Sequence, residues 1–347
     1  ESYDGRALGI LPEVRNQNPW NTCWAFATLA AMESSLMQQE IDKNIDLSER
    51  HLAYFTYNTG YDVLGNANLD KITPPSDDYY LENGGNMVRA AMRLMNWQGA
   101  AAEAAYPYST MMPEVIAEKN AQDIIAAAKD IYFIPTKDAD VDAEKTIIKN
   151  LLKAYGCVGW SYFHDKNYYN DNTGAYYLNV CDEKKPTNHA IVIVGWDDTY
   201  SIENFNESCK PNQNGAWIVR NSWGSDWGDD GYFYISYEDA TLGQGNDAGI
   251  VIAGEAGEYE NNYFYSNGIS TTYYPEFTKI SQVFETKSGS EQEILKAVSF
   301  MTRSSSEPYE IQVYKNPDKV DGIVVNPESG EKMYEKTCFI MHNGRFR

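Results

Sequence analysis

Cysteine is scarce in this sequence. Its five residues, Cys23, Cys157, Cys181, Cys209 and Cys338, are scattered and none belongs to a C-x-x-C pair. That pattern excludes a disulfide framework and argues against structural zinc. Cys181 and Cys209 flank one histidine segment and could bridge, although the odd total leaves at least one thiol unpaired. Positive charge is also short: 28 Lys and Arg stand against 50 Asp and Glu, a formal net charge of −22. Nucleic acid and anionic membranes need clustered basic residues, so neither is an expected partner. No apolar run approaches the roughly 20 residues of a membrane span, so no transmembrane segment is expected. Residues 1–15 lack the basic-then-apolar pattern of a signal peptide. The sequence therefore reads as a soluble part of something longer.

What is present is ample material for a core, 43% hydrophobic and 14% aromatic over 347 residues, and two domains are the default at this length. The 27 tyrosines suit an extracellular, wet-surfaced protein. Residues 1–20 read as extended chain broken by Pro12 and Pro19. A long apolar-periodic helix follows from Trp24 to about Gln39, with Ala25, Leu29, Met32 and Leu36 at three- and four-residue steps and Thr22 placed to cap it. Ser48 should cap a helix through Tyr57. A surface loop is expected over 58–79, and Asn83-Gly84-Gly85-Asn86 should open a helix through about Trp97, with Met87, Ala91, Leu94 and Met95 facing the core. The alanine- and isoleucine-rich stretch 114–129 predicts an amphipathic helical insertion, and 142–154 another helix.

From Val158 the period changes to two. Short runs at 158–163, 190–194, 216–219, 232–235 and 249–253 read as strands. Helices followed by strands suggest an α+β fold of two lobes meeting at a cleft. Beyond Gly254–Glu258 the alternation at Val283-Phe284, 297–300 and 310–314, with a turn at 287–289, suggests a β-sandwich. The expected organisation is residues 1–255 as the first domain and 256–347 as a smaller all-β domain, which need not be complete at its end.

Cys23 at the head of a buried helix has the makings of a nucleophile, because the positive end of the helix dipole favours thiolate over thiol. A thiol nucleophile needs a base, a group to orient that base, and donors for the oxyanion. His189, in Thr187-Asn-His-Ala-Ile-Val-Ile-Val-Gly-Trp196, stands at the mouth of a buried strand that would hold its ring rigidly. His51 lies in a helical stretch, His164 in a polar loop and His342 in the distal β-region. Asn221, in Arg220-Asn-Ser-Trp-Gly224, can accept the imidazole N–H, and Trp223 can shield that bond. Gln17 can aim its side-chain amide at the oxyanion beside the backbone N–H of Cys23.

Five separated motifs resemble the papain family of cysteine peptidases: Val14-Arg-Asn-Gln17 with Cys23-Trp-Ala-Phe, Leu47-Ser-Glu, Asn83-Gly-Gly85 with Tyr106-Pro-Tyr108, Asn188-His-Ala190, and Asn221-Ser-Trp-Gly with Trp227-Gly-x-x-Gly-Tyr232. The likeness covers roughly residues 3–253. It implies a two-lobed papain-like fold and a peptidase acting on protein or peptide substrates, with Gln17, Cys23, His189 and Asn221 as its catalytic set. It also implies that Gly84 and Gly85 offer backbone to an extended peptide, that Trp223 floors the primed side, and that Ala190 lies near the pocket for the second residue before the cut. Spacing alone favours His164, which falls within the roughly 130–150 residues between nucleophile and histidine in such enzymes. Context selects His189, since insertions account for the extra length. The sequence departs from the family where Trp20-Asn21-Thr22 replaces Cys-Gly-Ser and where the cysteine ahead of Asn83-Gly-Gly is absent, so the disulfide that the resemblance implies between those two positions is missing on both sides.

Residues 258–338 resemble the lectin-like domain that follows a papain-type domain in certain bacterial surface peptidases. This implies a secreted or cell-surface bacterial location, with surface glycan as a further partner. No cofactor is expected for catalysis, and no catalytic metal. Structural calcium in the β-domain is left open, but Asp138-x-Asp-x-Asp142 is no EF-hand, because Ala143 and Lys149 stand where that loop needs Gly and Glu. Gly243-x-Gly245 reads as a turn. The alternative to a peptidase is an adhesion or carbohydrate-binding protein with a vestigial peptidase domain.

Overall fold

The computed structural model describes residues 1–58, 79–112, 114–134, 141–179, 186–243, 248–264, 279–286, 293–302, 308–339 and 344–346. Most of the loop expected over 58–79, the acidic residues Asp138 and Asp140, Cys181, Gly245, the turn at 287–289 and His342 lie outside these. The chain forms two compact units, Glu1–Ile269 and Ser270–Arg347.

In the first unit the leading segment is not simply extended: strand β1 (Ser2–Asp4) precedes a 3-10 turn over Gly5–Leu8. Helix α1 (Cys23–Gln38) is buried from Trp24 to Leu36, almost all the way round. A helix buried on every side belongs at the centre of a fold, and α1 is that centre. Its Leu29, Met32 and Leu36 pack with α2 (Glu49–Tyr57) and α3 (Met87–Met95) in the helical lobe. Its small residues Ala27, Ala30 and Ala31 pack instead against strands of the other lobe. Ser48 caps α2 by accepting from the His51 N–H at 3.1 Å, and Asn86 caps α3 by accepting from the Arg89 N–H at 2.9 Å. The α3 helix stops at Met95, short of Trp97, which takes a left-handed φ of 58°.

The stretch 114–129 is not a helix. It holds a 3-10 turn over Glu118–Gln122 and then strand β2 (Ala126–Phe133), paired antiparallel with Ala128 opposite Ala253 of a later strand. Alanine's helix propensity is a weak preference. Here it yields to tertiary pairing and burial, because Ala126 and Ala128 pack into the core of the helical lobe.

Helix α4 (Val141–Tyr155) leads into β3 (Val158–Tyr162), β4 (Tyr169–Asn170), β5 (Ala175–Tyr176), β6 (His189–Asp197), β7 (Ala216–Arg220), β8 (Tyr232–Ser236) and β9 (Gly249–Glu255). Across the first unit the strand order is β2-β9-β3-β6-β7-β8-β5-β4, with β1 added beside β6. The alternation expected from Val158 onward is therefore one continuous sheet. Its Ile191, Ile193, Trp196, Val219 and Phe233 form the second core with Ile148 and Leu152 of α4.

An ionic cluster, buried at Glu33 and Glu49, ties the leading segment to α1. Arg15 reaches Glu33 of α1 at 2.7 Å, Glu49 of α2 at 2.6 Å and Asp46 at 2.5 Å. Burial pushes the Glu33 carboxyl up to about 7, against the pull of Arg15.

The second unit contains β10 (Phe300–Thr302), β11 (Pro308–Lys315), β12 (Lys319–Val320), β13 (Ile323–Val324), β14 (Glu331–Phe339) and β15 (Gly344–Phe346). β11 pairs antiparallel with β14, β10 with β15 and β12 with β13. The alternation at 310–314 corresponds to β11. Val283-Phe284 and Ala297–Ser299 form no strand, so short alternating pairs were too weak a signal there.

Candidate active site

Cys23 is the first residue of α1 and is half-buried. Thr22 does not cap the helix with its side chain. Its hydroxyl lies 2.5 Å from the Tyr108 hydroxyl, which donates on to the Gln17 carbonyl at 2.7 Å. The Thr22 carbonyl instead receives the Ala25 N–H at 2.8 Å, so the helix starts through its backbone.

Four residues past Cys23, Ala27 packs on β6 beside Val192, and the small side chain lets helix and sheet approach closely. Phe26 and Ala27 line a small cavity with Ala190, Asn221 and Ser222. The first turns of α1 thus meet the start of β6 and the end of β7. His189 opens β6, opposite Tyr162 of β3, and is buried. Its Nε2 lies 2.7 Å from Asn221 Oδ1, which also accepts the Ser222 N–H at 2.8 Å. An oxygen that accepts from Ser222 must accept from the ring as well, so Nε2 carries the proton and Nδ1 is the free base.

Trp223 stacks over His189 at 4.6 Å and 24°, Trp227 stands edge-on to Trp223 at 5.0 Å, and Tyr162 lies edge-on to His189 at 5.9 Å. Gly231, at φ +89°, lets its carbonyl turn to accept the Asn221 N–H at 2.9 Å, which fixes the orienting residue. Burial pushes His189 down to about 4, opposed by its bond to Asn221 and reinforced by neighbouring His164. A lone imidazole here stays neutral, and it carries charge only with an anion beside it. Cys23 lies within electrostatic reach of Tyr162: burial is the main cause of that phenol's raised pKa, and the Cys23 sulfur adds to it.

Gln17 comes from the opposite end of the chain, yet its segment runs alongside the Asn221 loop. The Gln17 N–H donates to the Ser222 carbonyl at 2.8 Å and the Gly224 N–H to the Arg15 carbonyl at 3.1 Å. Gln17 Oε1 accepts from the Ser222 hydroxyl at 2.7 Å, while Nε2 donates one hydrogen to the Trp20 carbonyl at 2.9 Å. The second hydrogen on Nε2 is left over for another acceptor.

Gly85 is exposed beside Trp24, where a Cβ would stand 2.5 Å from the indole. Its N–H and carbonyl have no partner among the described residues. Gly84 is open to solvent on its Cβ side, and its carbonyl accepts from the Tyr57 hydroxyl. Ala190 is half-buried between His189 and the cavity. Where the family disulfide is missing, the Asn21 N–H donates to the Leu81 carbonyl at 3.0 Å. The Asn21 amide donates to the carbonyl of Glu82, the residue just ahead of Asn83-Gly-Gly. Hydrogen bonds thus bridge the two segments in its place.

Sequence reasoning missed two residues. Ser222 holds Gln17, and its signal was only its place next to Asn221. His164, set aside as a loop residue, sits two positions past β3 with its ring 4.9 Å from Trp223 and 6.3 Å from His189, and its Nδ1 lies 2.9 Å from the Tyr162 hydroxyl. His51 lies elsewhere, buried in α2 with Nε2 2.8 Å from the Asn120 carbonyl. Cys209 is a free, buried thiol. Among the described residues no group of His, Cys, Asp or Glu could hold a metal, so no calcium site is found in the described part of the β-unit.

A thiol at a helix start, an oriented imidazole and a tethered amide on facing walls define a class, and comparison with known proteins agrees with it. Residues 1–253 match the papain family of cysteine proteases, and the chain belongs to that family. It is similar to a cysteine protease of Blomia tropicalis, 27% identical over 71% of this chain and 64% of that protein. It is likewise similar to a viral cathepsin of the Choristoneura fumiferana nuclear polyhedrosis virus, 29% identical over 67% of this chain and 58% of that protein. The chain thus spans less than two thirds of these relatives' length. Among solved structures, the cysteine protease and lectin-like domains of Cwp84, a surface layer associated protein of Clostridium difficile, match 99% of this chain and 70% of that one at 26% identity and a TM-score of 0.75. Clostridial Cwp84 after propeptide cleavage shares the fold over 99% of this chain and 78% of that one, at 24% identity and a TM-score of 0.71. The fold is α+β, a two-lobed papain-like unit followed by a smaller β-unit.

Proposed function

We propose that the chain is a thiol endopeptidase that hydrolyses peptide bonds through an acyl-enzyme on Cys23. The observation that carries this reading is the 2.7 Å bond from His189 Nε2 to Asn221 Oδ1 beneath stacked Trp223, which leaves Nδ1 as base. His189 Nδ1 takes the Cys23 proton, and the thiolate and imidazolium stabilise each other where neither would ionise alone. The sulfur attacks the scissile carbonyl. The resulting oxyanion is met by the Cys23 backbone N–H and the remaining hydrogen of Gln17 Nε2. His189 then protonates the departing amine as the C–N bond breaks, leaving a thioester. A water that gives its proton to His189 attacks this thioester, and the carboxylic acid departs as the thiol re-forms. Gly84 and Gly85 present backbone to an extended substrate in the manner of an added strand. Trp223 and Ala190 border the leaving-group and acyl sides.

In this reading residues 1–255 form the peptidase domain and 256–347 a lectin-like domain that meets surface glycan. The enzyme is secreted or attached to a bacterial surface, as the description of Cwp84 suggests by likeness. The test is cleavage of a diverse peptide library read by mass spectrometry. Cleavage by the parent chain and none by Cys23→Ala is expected, and a Cys23→Ala chain as fast as the parent overturns the assignment.

A further inference from the structure

The residues that stand in for the missing disulfide do more than tie two segments together. The Asn21 amide donates to the Glu82 carbonyl at 3.0 Å and also reaches Glu82 Oε2 at 3.3 Å. The Asn21 backbone N–H is bonded to the Leu81 carbonyl, so the segment entering Cys23 and the segment entering Gly85 lie side by side. Both Asn21 and Glu82 are exposed, so the carboxylate is held at the surface and not buried. No Lys or Arg among the described residues pairs with Glu82, in contrast to Glu33 and Glu49, which both share Arg15.

Asn21 stands two residues ahead of Cys23 and Glu82 three ahead of Gly85, so a peptide whose backbone paired with Gly85 and whose carbonyl reached Cys23 would run close to the Asn21–Glu82 contact. Resting on the peptidase reading above, we propose that Glu82, positioned by Asn21, selects a basic side chain on the residue whose carbonyl is attacked. The chemistry is that of a fixed carboxylate meeting a guanidinium or ammonium group. Asn21 occupies one side of Oε2 and leaves Oε1 to accept from the substrate, and Asn21 Oδ1 offers a second acceptor nearby. A glycine at position 21 would leave Glu82 free to swing away, whereas the amide confines it. An acidic side chain arriving at the same place meets like charge, so selection works by repulsion as well as attraction.

The experiment uses matched fluorogenic peptides that differ only in the residue before the cut, Arg, Gln or Glu, with kcat/KM measured for the parent chain, Glu82→Gln and Glu82→Lys. The parent should favour Arg over Gln by about tenfold, the scale of a hydrogen bond to a charged group. The preference should shrink as salt is raised. Glu82→Gln should bring the Arg/Gln ratio near one, and Glu82→Lys should turn the Arg/Glu preference over. A parent that cleaves the Gln peptide with no Arg preference, or a ratio untouched by Glu82→Gln, overturns the assignment while leaving the peptidase reading intact. A parent that cleaves no peptide and whose Cys23 resists an active-site-directed epoxide overturns both.

Discussion

His189 stands on a wall made by burial: it opens a strand at the centre of the sheet and is boxed by Trp223, Tyr162 and the Asn221 amide. Cys23 stands on a wall made of polar ties between segments far apart in sequence. These are Thr22 to Tyr108 to Gln17, Gln17 to Ser222, and Asn21 to Leu81 and Glu82. The difference shows where each half of the site takes its precision. In the proposed mechanism the base, His189, is aimed by packing, which resists change as a body. In that mechanism Cys23 and the Gln17 amide are aimed by hydrogen bonds that can be removed one at a time, so graded losses are expected on that side.

Replacing Cys23 by Ala should give the largest effect, a loss of about 10⁴-fold or more in kcat/KM on peptides. Asn221→Ala strikes the buried wall, and a fall of about 10²–10³-fold in kcat is expected with little change in KM, because the imidazole loses its tautomer and orientation. Gln17→Ala on the opposite wall should cost about 2.7–4 kcal/mol of transition-state stabilisation. Ser222→Ala should cost less, about tenfold, and a double-mutant cycle of the two should be strongly non-additive, because the Ser222 hydroxyl acts only through the Gln17 amide. Additive losses would mean that Ser222 reaches the chemistry by a route other than Gln17, and the polar wall would then not be one connected chain.

The smallest effect is on stability. Glu33 belongs to α1, and burial raises its folded-state pKa to about 7 from the ordinary value of 4.5. A carboxyl with a raised folded pKa contributes most when protonated, so its contribution is full below about 4.5 and is lost as pH rises through about 7. Glu33→Gln keeps an oxygen that can accept from Arg15 and the Leu47 N–H, and it should flatten that part of the stability–pH curve measured by urea unfolding.

The wall built by burial was the legible one. His189 before Ala-Ile-Val-Ile-Val, and Asn221 at the end of Ala216–Arg220, declare themselves because a buried strand has an apolar pattern that ends at a polar residue. The long apolar period of α1 was legible for the same reason. The ties made by Thr22, Ser222 and Glu82 were not, since a hydrogen bond between residues remote in sequence leaves no period. The stretch 114–129 misled because alanine favours helix locally, while pairing with β9 is a tertiary fact. His164 was set aside although its spacing favoured it, because a polar loop gave no sign that its ring would be held against Trp223 and the Tyr162 hydroxyl.

Whether His189 and Cys23 ionise as a pair is tested most directly by the pH dependence of Cys23 alkylation. The rate of iodoacetamide modification would be followed from acid to alkaline pH in the parent and in His189→Ala, with Cys23→Ala as the blank for the other thiols. A paired ionisation gives thiolate reactivity in the parent at pH values well below the ordinary thiol pKa of about 8.5, and a return to about 8.5 or above in His189→Ala. Superimposable profiles in the two chains would contradict it.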